Sequence, residues 1–124
     1  MDLVKISEND KMTLYIDADS ITKSGEVFEF VELIDYKYAE SVHPDNKSLS
    51  SILHSVINCE TDEQSILEAR DFSGHMGTGE VLNEGYLKDN IRVIPPESLS
   101  YKTLQYLKEL KEHWYHFINY CDPR

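Results

Sequence analysis

Cys59 and Cys121 are the two cysteines of the chain, and their sulfurs offer thiol, disulfide or metal-ligand chemistry. Metal ligation is disfavoured, because no Cys-x-x-Cys occurs and neither residue has a second cysteine nearby. Cys59 closes a strand-like run, whereas Cys121 falls in the last turn of an apolar stripe at helical spacing. A sulfur on the face that seeks the core is placed to meet the sheet, so a disulfide between the two is expected. It would close a loop of about half the chain and contribute roughly 4 kcal/mol in the chain-entropy account. Two separate buried thiols are the plainer alternative. A disulfide implies an oxidising compartment; free thiols are compatible with the cytosol.

His113 and His116 lie one helical turn apart, with Glu109 and Glu112 each four residues before one of them. A helix would gather these groups as an imidazole–carboxylate cluster for a metal, although the order is not His-Glu-x-x-His and boundary histidines are commonplace. The run Gly74-His75-Met76-Gly77-Thr78-Gly79 has the glycine density of a phosphate cradle. It lacks the context of one, since a strand-like Glu80-Val81-Leu82 follows and no Lys-Ser/Thr closes it, so a tight turn or bulge is expected. No serine sits in a Gly-x-Ser-x-Gly setting, no catalytic group stands out, and no cofactor is implied. Tyr36 and Tyr38 beside one strand, with Tyr106 and Tyr115 on the helix, have the amphipathic rings that suit binding surfaces; bordering the core is their simpler role.

The elements that must carry these residues follow from periodicity. Asp2 to Ser7 and Met12 to Ile16 flank the turn Glu8-Asn9-Asp10 and read as a hairpin. Asp17 to Ile21 is a turn by its short polar side chains. Val27 to Tyr36 follows as a long strand with Phe28, Phe30 and Ile34 on one face and Val27, Val31 and Leu33 on the other, both at least partly covered. Ala39 to Ser48 is a loop, and Leu49 to Cys59 is a strand whose Leu53, Ile57 and Cys59 share a face. Ile66 to Phe72, Glu80 to Leu87 and Ile91 to Ile94 complete the sheet. Pro95-Pro96 ends it, Ser98 or Ser100 offers a cap, and Leu104, Leu107, Leu110, Trp114, Phe117, Ile118 and Cys121 form the helical stripe. The expected architecture is a single α+β domain over 1–124. It has an antiparallel meander of about six strands within 1–95 and one long helix, 99–121, packed on the sheet and tethered by the disulfide.

Composition narrows the function. Aspartate and glutamate number 23 against 12 lysines and arginines, a formal net charge of −11, so nucleic acid is not an expected partner. Apolar runs are only a few residues long, far short of the ~20 that cross a bilayer, and no export signal is visible; the disulfide reading therefore requires one to have been removed.

The succession Tyr15-Ile16-Asp17-Ala18-Asp19-Ser20-Ile21, Leu33-Ile34-Asp35-Tyr36-Lys37, Lys47-Ser48 leading to Cys59, Phe72-Ser73-Gly74-His75-Met76-Gly77-Thr78-Gly79-Glu80-Val81, Pro95-Pro96-Glu97-Ser98 and a terminal helix with cysteine resembles the surface-adhesin protein E-like family of bacterial envelope proteins. The resemblance implies an antiparallel sheet, a C-terminal helix tied to it through Cys59 and Cys121, export, and in some members adhesion to host proteins. It supplies no catalytic residues. The resulting expectation is a non-catalytic exported envelope protein, at the periplasm, outer membrane or cell surface, that binds host extracellular-matrix or other envelope proteins. Homodimerisation through a sheet edge is a blander role, and a small periplasmic enzyme or metal-binding protein built on His113 and His116 is the alternative.

Overall fold

The computed structural model describes residues 1–39 and 45–113. Eight strands form one antiparallel sheet: β1 (Leu3–Glu8), β2 (Met12–Asp17), β3 (Thr22–Ser24), β4 (Val27–Tyr36), β5 (Ser50–Asn58), β6 (Glu63–Phe72), β7 (Val81–Tyr86) and β8 (Arg92–Val93), followed by α1 (Leu99–Glu112). The main path is β1-β2-β4-β5-β6-β7, the expected six-rung meander. The count is eight rather than about six: the expected strand at Ile91 to Ile94 is present as β8, off the main path and paired with β6, and β3, where only a turn and restart are expected, also pairs β4, so the chain interrupts itself beside β4 and again beside β6.

Both interruptions are patched by a side chain. A 3₁₀ turn at Ala18–Ser20 separates β2 from β3, and Ser20 Oγ there accepts the Val31 N–H at 2.8 Å while donating to the Asp17 carbonyl at 2.7 Å. Between β7 and β8 the Asn90 amide takes the place of a strand residue: its Oδ1 accepts the Ile66 N–H at 2.6 Å and its Nδ2 donates to the Ile66 carbonyl at 2.8 Å. Backbone groups that would be left without ladder partners are thereby satisfied.

One sheet face carries the helix. Ile16, Ile21, Phe28, Phe30, Ile57, Cys59 and Ile94 meet Leu104 and Leu107 in a continuous core, with Val4, Ile6, Tyr101, Tyr106 and Leu110 around it. Parity along β4 and β5 puts the predicted residues together there, Phe28 opposite Ile57 and Phe30 opposite Ser55. A bulge in β1 between Lys5 and Ser7 lets Ser7 donate to the Leu99 carbonyl and turns Glu8 to the other face, where it pairs with Lys5 and Lys37. Ser98 caps α1, its Oγ accepting the Tyr101 N–H at 3.2 Å. His113 is the C-cap, so the described helix is Leu99–Glu112, and the expected continuation to Cys121 lies outside the described residues.

Among the described residues the opposite face is covered at one end only. The glycine-rich segment folds over it as a 3₁₀ turn, His75–Gly77, with Met76 at φ 56° and Gly77 at φ 72°. Its donors are consumed locally: Asp35 Oδ1 accepts the Met76 N–H at 2.8 Å, and Ser50 Oγ accepts the Gly77 N–H at 2.8 Å. The segment is therefore a turn that buries Leu33 and abuts Ile52, not an anion cradle. A Cβ on Gly77 would lie 2.9 Å from Ile52 Cδ1 and would also sit on left-handed backbone. Gly77→Ala is predicted to destabilise the protein by about 1–3 kcal/mol, read as a lowered urea midpoint at unchanged slope; an unchanged midpoint would show that the turn does not hold this face.

Candidate binding surface and buried carboxylate

The pairing register builds the uncovered face in two cross-strand rows. Val31, His54, Glu68 and Tyr86 form one, running from β4 to β7; Leu33, Ile52, Arg70 and Glu84 form the other. Between them Val31, Ile52, His54, Glu68 and Arg70 line a shallow depression of about 220 Å³. Arg70 reaches Glu68 at 3.3 Å and Glu84 at 3.6 Å, and His54 Nε2 lies 3.5 Å from Glu29. These are exposed pairs, which order the surface more than they stabilise it.

The rows end at an open edge. All six residues of β7 are exposed, and among the described residues no strand pairs with its outer side. Tyr86 is 83 % exposed, Ile91 69 % and Val93 64 %, with Val81, Leu82 and Leu87 also exposed. Leu87 N–H bonds inward to the Leu67 carbonyl at 2.9 Å, so by alternation the backbone groups of Glu84 and Tyr86 point outward, up to the register break at Leu82. Large apolar side chains beside unpaired backbone donors and acceptors are the composition of a strand-pairing site.

The tyrosines picked out by sequence are dispersed rather than gathered on this surface. Tyr36 is half-buried on the helix-bearing side at the far end of β4, its hydroxyl 2.9 Å from Ser51 Oγ. Tyr38 is exposed just beyond it, whereas Tyr106 packs against the core from α1. Tyr115 lies outside the described residues. Tyr86 occupies the open edge, and its sign in the sequence was a tyrosine in a short alternating strand next to Gly85. Of the histidine pair, His113 is exposed at the helix end beside Tyr106, Glu109 and Leu110, and His116 lies outside the described residues. Among the described residues no group of three or more His, Cys, Asp or Glu is arranged to hold a metal ion.

Cys59 sits in the core with its sulfur 7 % exposed as a residue and in no disulfide with any described residue; Cys121 lies outside the described residues. Burial raises its thiol pKa, and Lys108 and Lys111 of α1 act in the opposite direction. The lysines also anchor the helix across this end of the sheet, Lys108 to Asp62 at 2.8 Å and Lys111 to Glu26.

Glu32 was not singled out by sequence, yet its parity was legible: it falls between Phe30 and Ile34 on the face of β4 that the helix needs. It is 3 % exposed. Ser55 Oγ donates to its Oε1 at 2.9 Å and Gln64 Nε2 at 3.3 Å, while its Oε2 and the Gln64 Oε1 are buried without a partner among the described residues. Desolvation raises its pKa from 4.5 to about 7, with the Ser55 and Gln64 bonds and the charge of Arg92 opposing. Below about pH 4.5 the carboxyl is protonated whether the chain is folded or not. As pH rises toward 7 only the unfolded form ionises, so stability falls across that window and levels off above it. Glu32→Gln is predicted to stabilise the protein by a few kcal/mol at pH 8 relative to its effect at pH 4; urea titrations at the two pH values that give the same difference would disprove the assignment.

Fold and surface together define an antiparallel-sheet module with one helix among the described residues and an unpaired edge at β7. The model of the family described as surface-adhesin protein E matches residues 3–107, and the chain belongs to that family. Among solved structures it is similar to Haemophilus influenzae protein E, at 17% identity and TM-score 0.61, covering 86% of this chain and 83% of that one. A structure of protein E from non-typeable Haemophilus influenzae matches at 17% identity and TM-score 0.58, covering 84% of this chain and 73% of that one. No curated protein sequence matches the chain. No described helix is long and apolar enough to cross a membrane.

Proposed function

We propose that this chain is a non-catalytic, exported bacterial envelope module that binds host extracellular-matrix or other envelope proteins by adding an extended segment of the partner to the outer edge of β7. The observation that carries the reading is six consecutive exposed residues on an edge strand that keeps large apolar side chains and outward backbone groups. Edge strands left in this state invite pairing unless they are blunted by charge, proline or cover. Family membership supports adhesion as the use to which the edge is put. In strand addition the main chain supplies much of the affinity and the pockets beside it the selectivity, a role for the depression next to Tyr86.

Glu84→Pro removes an outward N–H without touching a bond to β6, whereas Glu84→Ala removes only the side chain. In pulldowns against immobilised extracellular-matrix proteins, with an unrelated acidic domain as control, the proline variant is expected to lose at least tenfold in retention. The alanine variant should stay within about twofold. Equal retention by the proline variant and the parent would sink the edge-pairing reading, and retention no better than the acidic control would remove adhesion.

The same reading includes a disulfide from Cys59 to Cys121. Its support is the position of Cys59 under the last turns of the described helix, beside Lys108 and Lys111. Intact mass of the exported protein is expected to be two hydrogens below the dithiol value, and Cys121→Ser should lower stability by about 2–5 kcal/mol. Two alkylatable thiols in unreduced, unfolded protein would reject the bridge.

A further inference from the structure

A second built site lies on the helix-bearing face, beyond the part of the sheet that α1 covers. Met12 and Leu14 of β2, Ile34 of β4, Leu53 of β5, Ile66 of β6 and Leu99 at the start of α1 wall a cleft of about 140 Å³, and Glu32, Gln64, Arg92 and Ser100 also line it. The volume matches that of a cavity able to take a benzene-sized body. Two of its polar residues, Glu32 and Gln64, are 3 % and 2 % exposed. Each is left with one acceptor oxygen that no donor meets among the described residues, Oε2 of Glu32 and Oε1 of Gln64. Both surplus atoms are acceptors, and a buried acceptor without a donor is destabilising. The walls are aliphatic, which sets the rest of the chemistry.

We propose that this cleft binds a small primary amine with an aliphatic body, its ammonium donating to Glu32 and Gln64 and its hydrocarbon lying against Leu14, Leu53 and Ile66. An ammonium carries three donors and one positive charge, so it satisfies both orphaned oxygens and pairs with the carboxylate. An alcohol has one donor and no charge, and a hydrocarbon has neither. Arg92 also lines the cleft and its charge acts on Glu32, so the ammonium competes with that guanidinium for the carboxylate. Nothing in this assignment depends on the β7 edge, which belongs to the other side of the sheet path.

The test is a titration of the full chain at pH 8 with isopentylamine, isopentanol and isopentane-saturated buffer, followed by methyl resonances of Met12, Leu14, Leu53 and Ile66. Saturable shifts with the amine, at least tenfold weaker with the alcohol and absent with the hydrocarbon, are expected. Glu32→Gln should weaken the amine at least tenfold. Gln64→Leu, which keeps the carboxylate, should weaken it several-fold. Equal binding of amine and alcohol, unchanged affinity in Glu32→Gln, or no saturable shift at millimolar amine, as when water alone satisfies the two oxygens, would overturn the proposal.

Discussion

A single described helix cannot cover one face of this sheet, and that mismatch governs the molecule. Fourteen helical residues span about 21 Å at a width of roughly 10 Å, whereas six strands at about 4.8 Å spacing make a sheet some 24 Å across. Leu104 and Leu107 therefore bury only the portion of the sheet around Ile16, Phe28, Phe30 and Ile57. What remains must be covered by something else or tolerate water. The His75–Gly77 turn covers Leu33 on the far side; the cleft at Glu32 is walled by α1 only at its first residues, Leu99 and Ser100, and the depression at His54 lies on the face away from the helix.

Much of this was legible because the strands are long and their parity unbroken. Phe28, Phe30 and Ile34 declared one face of β4, Leu53, Ile57 and Cys59 the matching face of β5, and Leu104, Leu107 and Leu110 the helix stripe. Pro95-Pro96 and Ser98 marked the passage from sheet to helix. The parts that were not legible depend on long-range partners. Three residues, Thr22–Ser24, carry no periodicity of their own and become a strand because β4 extends past the end of β2. The bulges at Ile6 and Leu67 shift register by one residue, which no local signal announces.

The candidate sites were read less well, for a physical reason. Residue type drew attention to tyrosines and histidines, but a surface is assembled by register, and register placed Tyr86 beside Glu68 while leaving Tyr36 on the opposite face. Glu32 was hidden by the opposite error. A carboxylate in an amphipathic strand is ordinarily taken as solvent-facing, whereas here the alternation that made Phe28 and Phe30 core residues placed Glu32 on the same buried face. An acidic residue in phase with a buried stripe is thus a stronger signal than an acidic residue out of phase.

A net charge of −11 bears on how such a surface can recognise a protein. Side-chain electrostatics at the exposed face are mixed, with Arg70 already engaged by Glu68 and Glu84, so that face offers little free positive charge to attract an acidic partner. Long-range steering would favour basic partners and weaken with salt. Backbone pairing along β7 is indifferent to charge and nearly indifferent to sequence, because donors and acceptors belong to the main chain. A recognition mode of this kind needs the edge, its twist and one or two anchoring side chains. On the proposed reading, exposed side chains beside the edge such as Leu82 and Tyr86 would set which segment fits, and the main-chain pairing would tolerate wide change in sequence.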